Sequence, residues 1–177
     1  MKVRYGKFDD IPTLVDLNAQ TFEEHRERNP EDFPETPEGT FWFRVLKTQF
    51  PKRWGLFRKK EAENILVCTS DDEKILGYLL YEEGYIERAK DETRYYRVID
   101  ISIFEEHRGN GIGRTLVNKF HNEVSKTEYS YIQAEVWAGN DASENLFASL
   151  DYRPSYTAVR LNKPKEDNDV FVLTPET

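Results

Sequence analysis

His107-Arg108-Gly109-Asn110-Gly111-Ile112-Gly113-Arg114 is the stretch on which the reading of this chain turns. Before it, Tyr95 to Phe104 is rich in β-branched and aromatic residues, which predicts a strand. After it, Leu116, Val117, Phe120 and Val124 recur at helical spacing and predict an amphipathic helix. The stretch is therefore a strand-to-helix turn with alternating glycines. Glycine removes the Cβ atoms that keep a ligand from the backbone. Successive N–H groups at a helix start can then converge on an anion, helped by the helix dipole. Arg108 and Arg114 add guanidinium groups suited to phosphate oxygens. The chemistry is that of a pyrophosphate cradle. The plainer alternative is a turn that merely starts a helix.

Other phosphate loops do not fit. A P-loop needs Gly-Lys followed by Ser or Thr, which this stretch lacks. A dinucleotide fingerprint wants glycine where Arg114 stands, and wants it in an early βαβ unit, whereas this turn lies past the middle of the chain.

Working outward, Val3 to Tyr5 reads as a first strand. A helix follows, with Asp9 and Asp10 at its start, Pro12 in its first turn, and Ile11, Leu14, Val15 and Phe22 on one face. Asn29 to Gly39 is irregular, and a second helix is predicted over Thr40 to Phe50 with Trp42, Val45 and Leu46 turned inward. Ile65 to Thr69 and Ile75 to Tyr81 read as strands joined through Asp71-Asp72-Glu73. Tyr131 to Trp137 is another strand, Asp141 to Leu150 another helix, with Asp141 and Glu144 at capping-box spacing. Two last strands are expected near 155–161 and 169–173. The order β-α-α-β-β-β-α-β-α-β-β predicts an α/β (α+β) fold: a mixed, mostly antiparallel sheet of about seven strands with helices on both faces.

Length and composition bound the rest. The 177 residues form one ordinary domain, with no linker, repeat or low-complexity tract to divide it. Aromatic content of 14% and hydrophobic content of 38% exclude a disordered chain. The net charge of −8 argues against broad nucleic-acid binding. It fits a cationic acceptor, although an acidic surface also serves solubility alone. Met1 to Tyr5 lacks the apolar stretch of a signal peptide, and no apolar run is long enough to span a bilayer. Cys68 stands alone and is expected in the core, and with three His a structural zinc site is not expected. These features fit a reducing cytoplasm with no metal and no membrane partner.

Arg108-Gly109-Asn110-Gly111-Ile112-Gly113 resembles the R-G-x-G-x-G turn of the GNAT (GCN5-related N-acetyltransferase) family. Downstream, Val136-Trp137-Ala138-Gly139-Asn140, Ser143, Leu146-Phe147 and Asp151-Tyr152 resemble that family's pattern V-x3-N-x2-A-x2-L-Y-x3-G-F. Both matches fall on the expected elements in the expected order, and the element order matches over essentially the whole chain. The resemblance implies transfer of acetyl from acetyl-CoA directly to a primary amine of a small molecule or peptide. It implies a pyrophosphate site at Arg108 to Arg114, including Ile112 and Gly113, and a pantetheine arm lying along Ile101, Ser102 and Ile103 like an added strand. It also brings Asn140, Ser143 and Phe147 to the cofactor, puts the acetyl group in a splay between strands 95–104 and 131–137, and implies a homodimer.

An ammonium has no lone pair, and an amine with a lysine-like pKa of about 10.4 needs a proton acceptor before it attacks a thioester. Glu135 is the first candidate, by resemblance to the base of ribosomal-protein acetyltransferases; alternatively it faces outward with Gln133, whose parity it shares. Asp100 is the second, or it anchors a helix or binds the substrate ammonium. A backbone N–H near Ile101 to Ile103 would hold the oxyanion. Phe147 stands where many members carry a proton-donating tyrosine, so another tyrosine or water protonates the thiolate, or it leaves unaided. Asp151 replaces a glycine in the pattern and can tolerate a left-handed helix end. His25, Pro30 and Phe33 fall where the family builds part of an acceptor pocket; alternatively they belong to a structural loop. Phe147 also motivates a different class, a non-catalytic acyl-CoA sensor. A longer acyl chain or a hydroxyl acceptor is a third possibility.

Overall fold

The structure is a computed structural model that describes residues 1–33, 35, 46, 61–88 and 91–155. Among the described residues, strand β1 (Lys2–Lys7) and helix α1 (Ile11–Arg28) come first, then strands β2 (Glu61–Thr69), β3 (Ile75–Arg88) and β4 (Asp91–Ile103), helix α2 (Ile112–Val124), strand β5 (Tyr131–Ala134) and helix α3 (Asp141–Ala148). The five strands form one sheet in the order β1-β2-β3-β4-β5. Every neighbouring pair is antiparallel except β4 and β5, which run parallel with α2 as the crossover. The two remaining strands of the expected seven and most of the helix expected over 40–50 lie outside the described residues.

Alternation along the strands divides the core into two layers. Ile65, Val67, Tyr78 and Leu80 point to the α1 side and bury Ile11, Leu14, Leu17 and Leu46. Leu66, Cys68, Leu79, Tyr81, Tyr96 and Val98 point to the other side and bury Leu116, Val117, Phe120 and Val124 of α2. The predicted face of α2 is thus the face it buries, and Cys68 is a fully buried free thiol. Among the described residues, no helix is long and apolar enough to cross a membrane.

Several boundaries differ from the sequence expectation. Strands β3 and β4 continue as a hairpin through a charged segment, carrying Glu82 and Glu83 opposite Arg97 and Tyr96. Charge reads as loop in sequence, but here Arg94 pairs with Glu83 across the hairpin at 2.7 Å. Strand β5 stops at Ala134, so Glu135 to Trp137 lie beyond it. Helix α3 is capped by Asn140, whose side chain accepts from the Ser143 N–H at 3.3 Å, and Asp141 is already inside the helix. Asp10 closes the start of α1 differently from a simple cap: it receives Arg4 of β1 at 2.7 and 3.0 Å and the Lys7 N–H at 2.7 Å.

Candidate active site

The register of β3 on β4 slips where Leu80 faces Asp100 and Tyr81 faces Val98, so Ile99 has no partner and forms a β-bulge. The bulge reverses the alternation of β4. Tyr96 and Val98 belong to the α2 side, and after Ile99 it is Ile101 and Ile103 that pack there. Asp100 and Ser102 consequently turn toward α1, where Asn18 donates to Asp100 at 2.7 Å and Thr21 donates to Ser102 at 3.0 Å.

The same bulge marks where the sheet opens. Parallel pairing of β4 with β5 runs from Tyr95–Tyr131 to Val98–Ala134 and ends there. Beyond it, β4 still pairs with β3 through Ile103 but not with β5. Among the described residues, Ile101, Ser102 and Ile103 therefore present a strand edge with no partner strand to a wedge between β4 and the segment following β5. An unpaired edge is a template for an extended, amide-bearing chain.

At the end of that edge lies the glycine turn. Gly109 and Gly111 have φ of 76° and 75°, the left-handed region, and a Cβ built on either meets nothing within 4 Å. Their bare faces look into open space. Among the described residues, no backbone N–H from Gly109 through Arg114 donates to a main-chain carbonyl; the first N–H to do so is that of Thr115, to Gly111, at 3.0 Å. Donors left open at the start of a helix make a turn whose chemistry suits an anion. Asn110 shapes it by donating to the carbonyls of His107 and Arg108 at 3.2 Å each. Gly113 differs from the other two: its missing Cβ would stand 3.0 Å from Leu146 and 3.3 Å from Ile103, so it lets α2 close on α3 and β4.

The two arginines of the turn have protein partners here. Arg108 donates to the Ile103 carbonyl at 3.0 Å and pairs with Glu24 of α1 at 2.7 Å. Arg114 donates to the Ser149 hydroxyl at 2.9 Å. Burial pushes Glu24 upward, but its bonds from Arg108 and Gln20 outweigh that and leave its carboxyl below the usual range.

The expected proton-transfer residues separate. Glu135, expected on a strand, lies past the end of β5 with its side chain 58% exposed, paired with Arg97 at 3.1 Å. Arg97 is shared with Glu82, which makes Glu135 part of a surface ion-pair cluster. Asp100 is half-buried and holds α1 to the sheet: its carboxylate accepts from Asn18, from the Tyr78 hydroxyl and, at 3.2 Å, from Ser102. Burial raises its pKa, and those bonds oppose the rise. The same burial, with Asp100 beside it, holds Tyr78 well above its ordinary value.

Asn140 and Ser143, expected at the cofactor, bond each other at the start of α3. Phe147 is 6% exposed and packs 5.0 Å from the ring of Tyr152 within the α2-side core. Tyr152 directs its hydroxyl to His121 at 2.8 Å, and burial raises its pKa, so it turns away from the glycine turn. Asp151 has a φ of 65° at the end of α3, as its place in the pattern requires.

Sequence reading did not single out Asn18, Thr21 or Tyr78. The signal was a stripe on α1 at spacings of three and four, Ile11, Leu14, Asn18, Thr21 and His25, apolar at first and polar as it nears the wedge. At its far end His25 stacks on Phe33 with centroids 5.4 Å apart, and Phe33 meets Trp137 at 4.8 Å. That aromatic bridge links α1 to the segment after β5, across the opening of the sheet. Trp137 and Ile99 are 42% and 43% exposed, large apolar groups at the mouth of the wedge.

No curated protein matches the sequence. Solved structures that match include a mutant form of the BH1408 protein from Bacillus halodurans, with a TM-score of 0.76, 19% identity, and 92% of this chain and 99% of that one covered. The ribosomal-protein-alanine N-acetyltransferase of Brucella melitensis biovar Abortus 2308 matches with a TM-score of 0.64 at 12% identity, over 92% and 100% of the two chains. An aminoglycoside antibiotic 6'-N-acetyltransferase from Acinetobacter haemolyticus matches with a TM-score of 0.66 at 11% identity, over 92% and 98%. At these identities the likeness is one of fold. The model of the acetyltransferase (GNAT) family matches residues 14–152, from α1 past α3 and across the glycine turn, and the chain belongs to that family.

Proposed function

We propose that the chain is an acetyl-CoA-dependent N-acetyltransferase that passes acetyl directly to a primary amine of a small molecule or peptide in a ternary complex. The observation that carries this reading is the run of unpaired N–H groups from Gly109 to Arg114, set at the end of a β4 edge released from β5. In this reading Arg108, Gly109, Asn110, Gly111, Ile112, Gly113 and Arg114 surround the diphosphate of coenzyme A, with the backbone donating. Ile101, Ser102 and Ile103 bond the amides of the pantetheine arm, and a free N–H on this edge faces the thioester oxygen, where negative charge develops. Asn140, Ser143 and Phe147 flank the arm through the start of α3. Acetyl-CoA supplies the activated acyl group, and no metal enters the reading.

The acceptor amine approaches from the α1 side, where Phe33 meets Trp137. Of the similar folds, one is named for ribosomal-protein alanine and another for aminoglycoside antibiotics, which supports an amine acceptor of either kind. A buried, free Cys68 agrees with a reducing, cytoplasmic setting. The homodimer rests on family resemblance alone. A non-catalytic acyl-CoA sensor is the second reading, favoured by Phe147, which has no hydroxyl to give a leaving thiolate.

Calorimetric titration of acetyl-CoA, followed by labelled-acetyl transfer to spermidine, kanamycin and a peptide with a free N-terminal alanine, tests the proposal. Binding with transfer to one of these supports catalysis. Binding without product favours the sensor, and absence of binding removes both.

A further inference from the structure

We propose that His25 is the residue that takes the proton from the acceptor's ammonium. This rests on the acetyl-transfer reading above.

Helix α1 lies along β4 in step with it. Asn18 bonds Asp100, Thr21 bonds Ser102, and Glu24 bonds Arg108. His25 continues the stripe of Asn18 and Thr21 by four residues, which places it on the same helical face one turn nearer the end of β4. Its ring is stacked on Phe33, which in turn touches Trp137 after β5. His25 thus stands on the α1-side wall of the wedge, between the free edge of β4 and the segment following β5. The acceptor must pass this wall to reach a thioester held in the wedge.

The chemistry of the ring suits the task. Its Nδ1 is buried and has no hydrogen-bond partner. A buried polar atom left unpaired carries a desolvation cost that a bonding ligand would remove. Burial first, and then Arg28, lowers the pKa of His25, while Asp100 and Glu24 act in the opposite sense without cancelling the shift. The imidazole is therefore neutral at neutral pH and able to accept a proton. Asp100, which faces the same helix two turns earlier through Asn18, carries the charge that favours an imidazolium. Glu135, by contrast, is held by Arg97 in the solvated cluster.

The step balances as follows. The ammonium R–NH3⁺ gives one proton to His25, and the freed nitrogen lone pair bonds to the thioester carbonyl carbon. The C–S bond breaks, its electrons leave on sulfur, and the second proton of the nitrogen passes to that thiolate as the amide forms. The imidazolium then releases its proton to solvent. The products are the N-acetyl amine, free coenzyme A and one proton.

The test is turnover of labelled acetyl-CoA with spermidine, kanamycin, the alanine peptide and water as acceptors, in wild type, His25→Gln and His25→Ala. General-base loss predicts a fall in kcat of about 100-fold or more in His25→Gln. Acetyl-CoA affinity should stay within about twofold, which also certifies the fold, and the acidic limb of the kcat/KM profile below about pH 6.5 should vanish. Added imidazole should restore part of the turnover of His25→Ala. A role in packing alone would move stability and leave the limb in place. The proposal is overturned by a His25→Gln enzyme with wild-type turnover and an unchanged profile, or by failure of imidazole to rescue an Ala variant that still binds acetyl-CoA. Acetyl-CoA binding without product from any acceptor, water included, overturns it together with catalysis. Failure to bind acetyl-CoA removes the underlying reading first.

Discussion

Asn18 of α1 donates to the carboxylate of Asp100 on β4 at 2.7 Å, and that bond joins the helix to the strand that borders the wedge. Tyr78 and Ser102 complete the ring of donors around the same carboxylate. Removing the acceptor leaves buried donors unpaired. Asp100→Ala should cost about 3 kcal/mol of stability in urea denaturation. A loss under about 0.5 kcal/mol would show that the network relaxes around the change.

Gly111 and Gly113 stand two residues apart and should respond differently to alanine. At Gly111 the backbone is left-handed and the new methyl projects into the open face of the turn. Acetyl-CoA affinity should fall at least about tenfold in Gly111→Ala, from a strain of roughly 1–2 kcal/mol and from the lost approach to the backbone. In Gly113→Ala the methyl meets Leu146 and Ile103, so the expected loss is in thermal stability, with a smaller change in affinity. Calorimetry and melting curves on both variants would expose a reversed pattern.

Glu135 offers a direct comparison with His25. Its side chain is largely exposed and bonded to Arg97. If His25 is the base, Glu135→Gln should keep kcat within about threefold, since exposed ion pairs are worth little. A fall of about 100-fold with the cofactor affinity intact would return Glu135 to the reaction.

Asn140 caps α3 by accepting the Ser143 N–H. Asn140→Ala should lower stability by about 1 kcal/mol, and Asn140→Asp should retain most of it, because the aspartate oxygen can accept the same bond. Chemical denaturation of the three proteins measures this without any assay of activity.

Glu123 predicts a pH dependence. Lys119 and then Lys126 donate to it, at 2.5 and 2.7 Å, and lower its pKa from 4.5 to about 2. A carboxyl that is more acidic folded than unfolded contributes its full stability above pH 4.5, and loses it as pH falls toward about 2. The lysine ends are solvated, so the effect is reduced by salt. Urea midpoints for wild type and Glu123→Gln should differ most at pH 6, draw closer at pH 3, and meet only as pH falls to about 2. An equal gap at pH 6 and pH 3 would contradict the assignment.

The sequence alone determined the elements whose signal is local. Leu116, Val117, Phe120 and Val124 announce the buried face of α2, and the apolar run Ile65 to Thr69 announces a strand, which the fold buries on both faces. The glycine turn was legible because glycines at left-handed positions before a helix have few other uses. What only the tertiary structure decided is where side chains end up when periodicity is broken. The unpaired Ile99 reverses the parity of β4, sending Asp100 to α1 instead of the α2 side, and no propensity of residues 96–103 records that slip. The early end of β5 moved Glu135 from a strand to a solvated ion pair for the same kind of reason. Helix period and turn chemistry are written within a few neighbouring residues. Register and strand divergence are set by partners tens of residues away, so they exist only once the chain has folded.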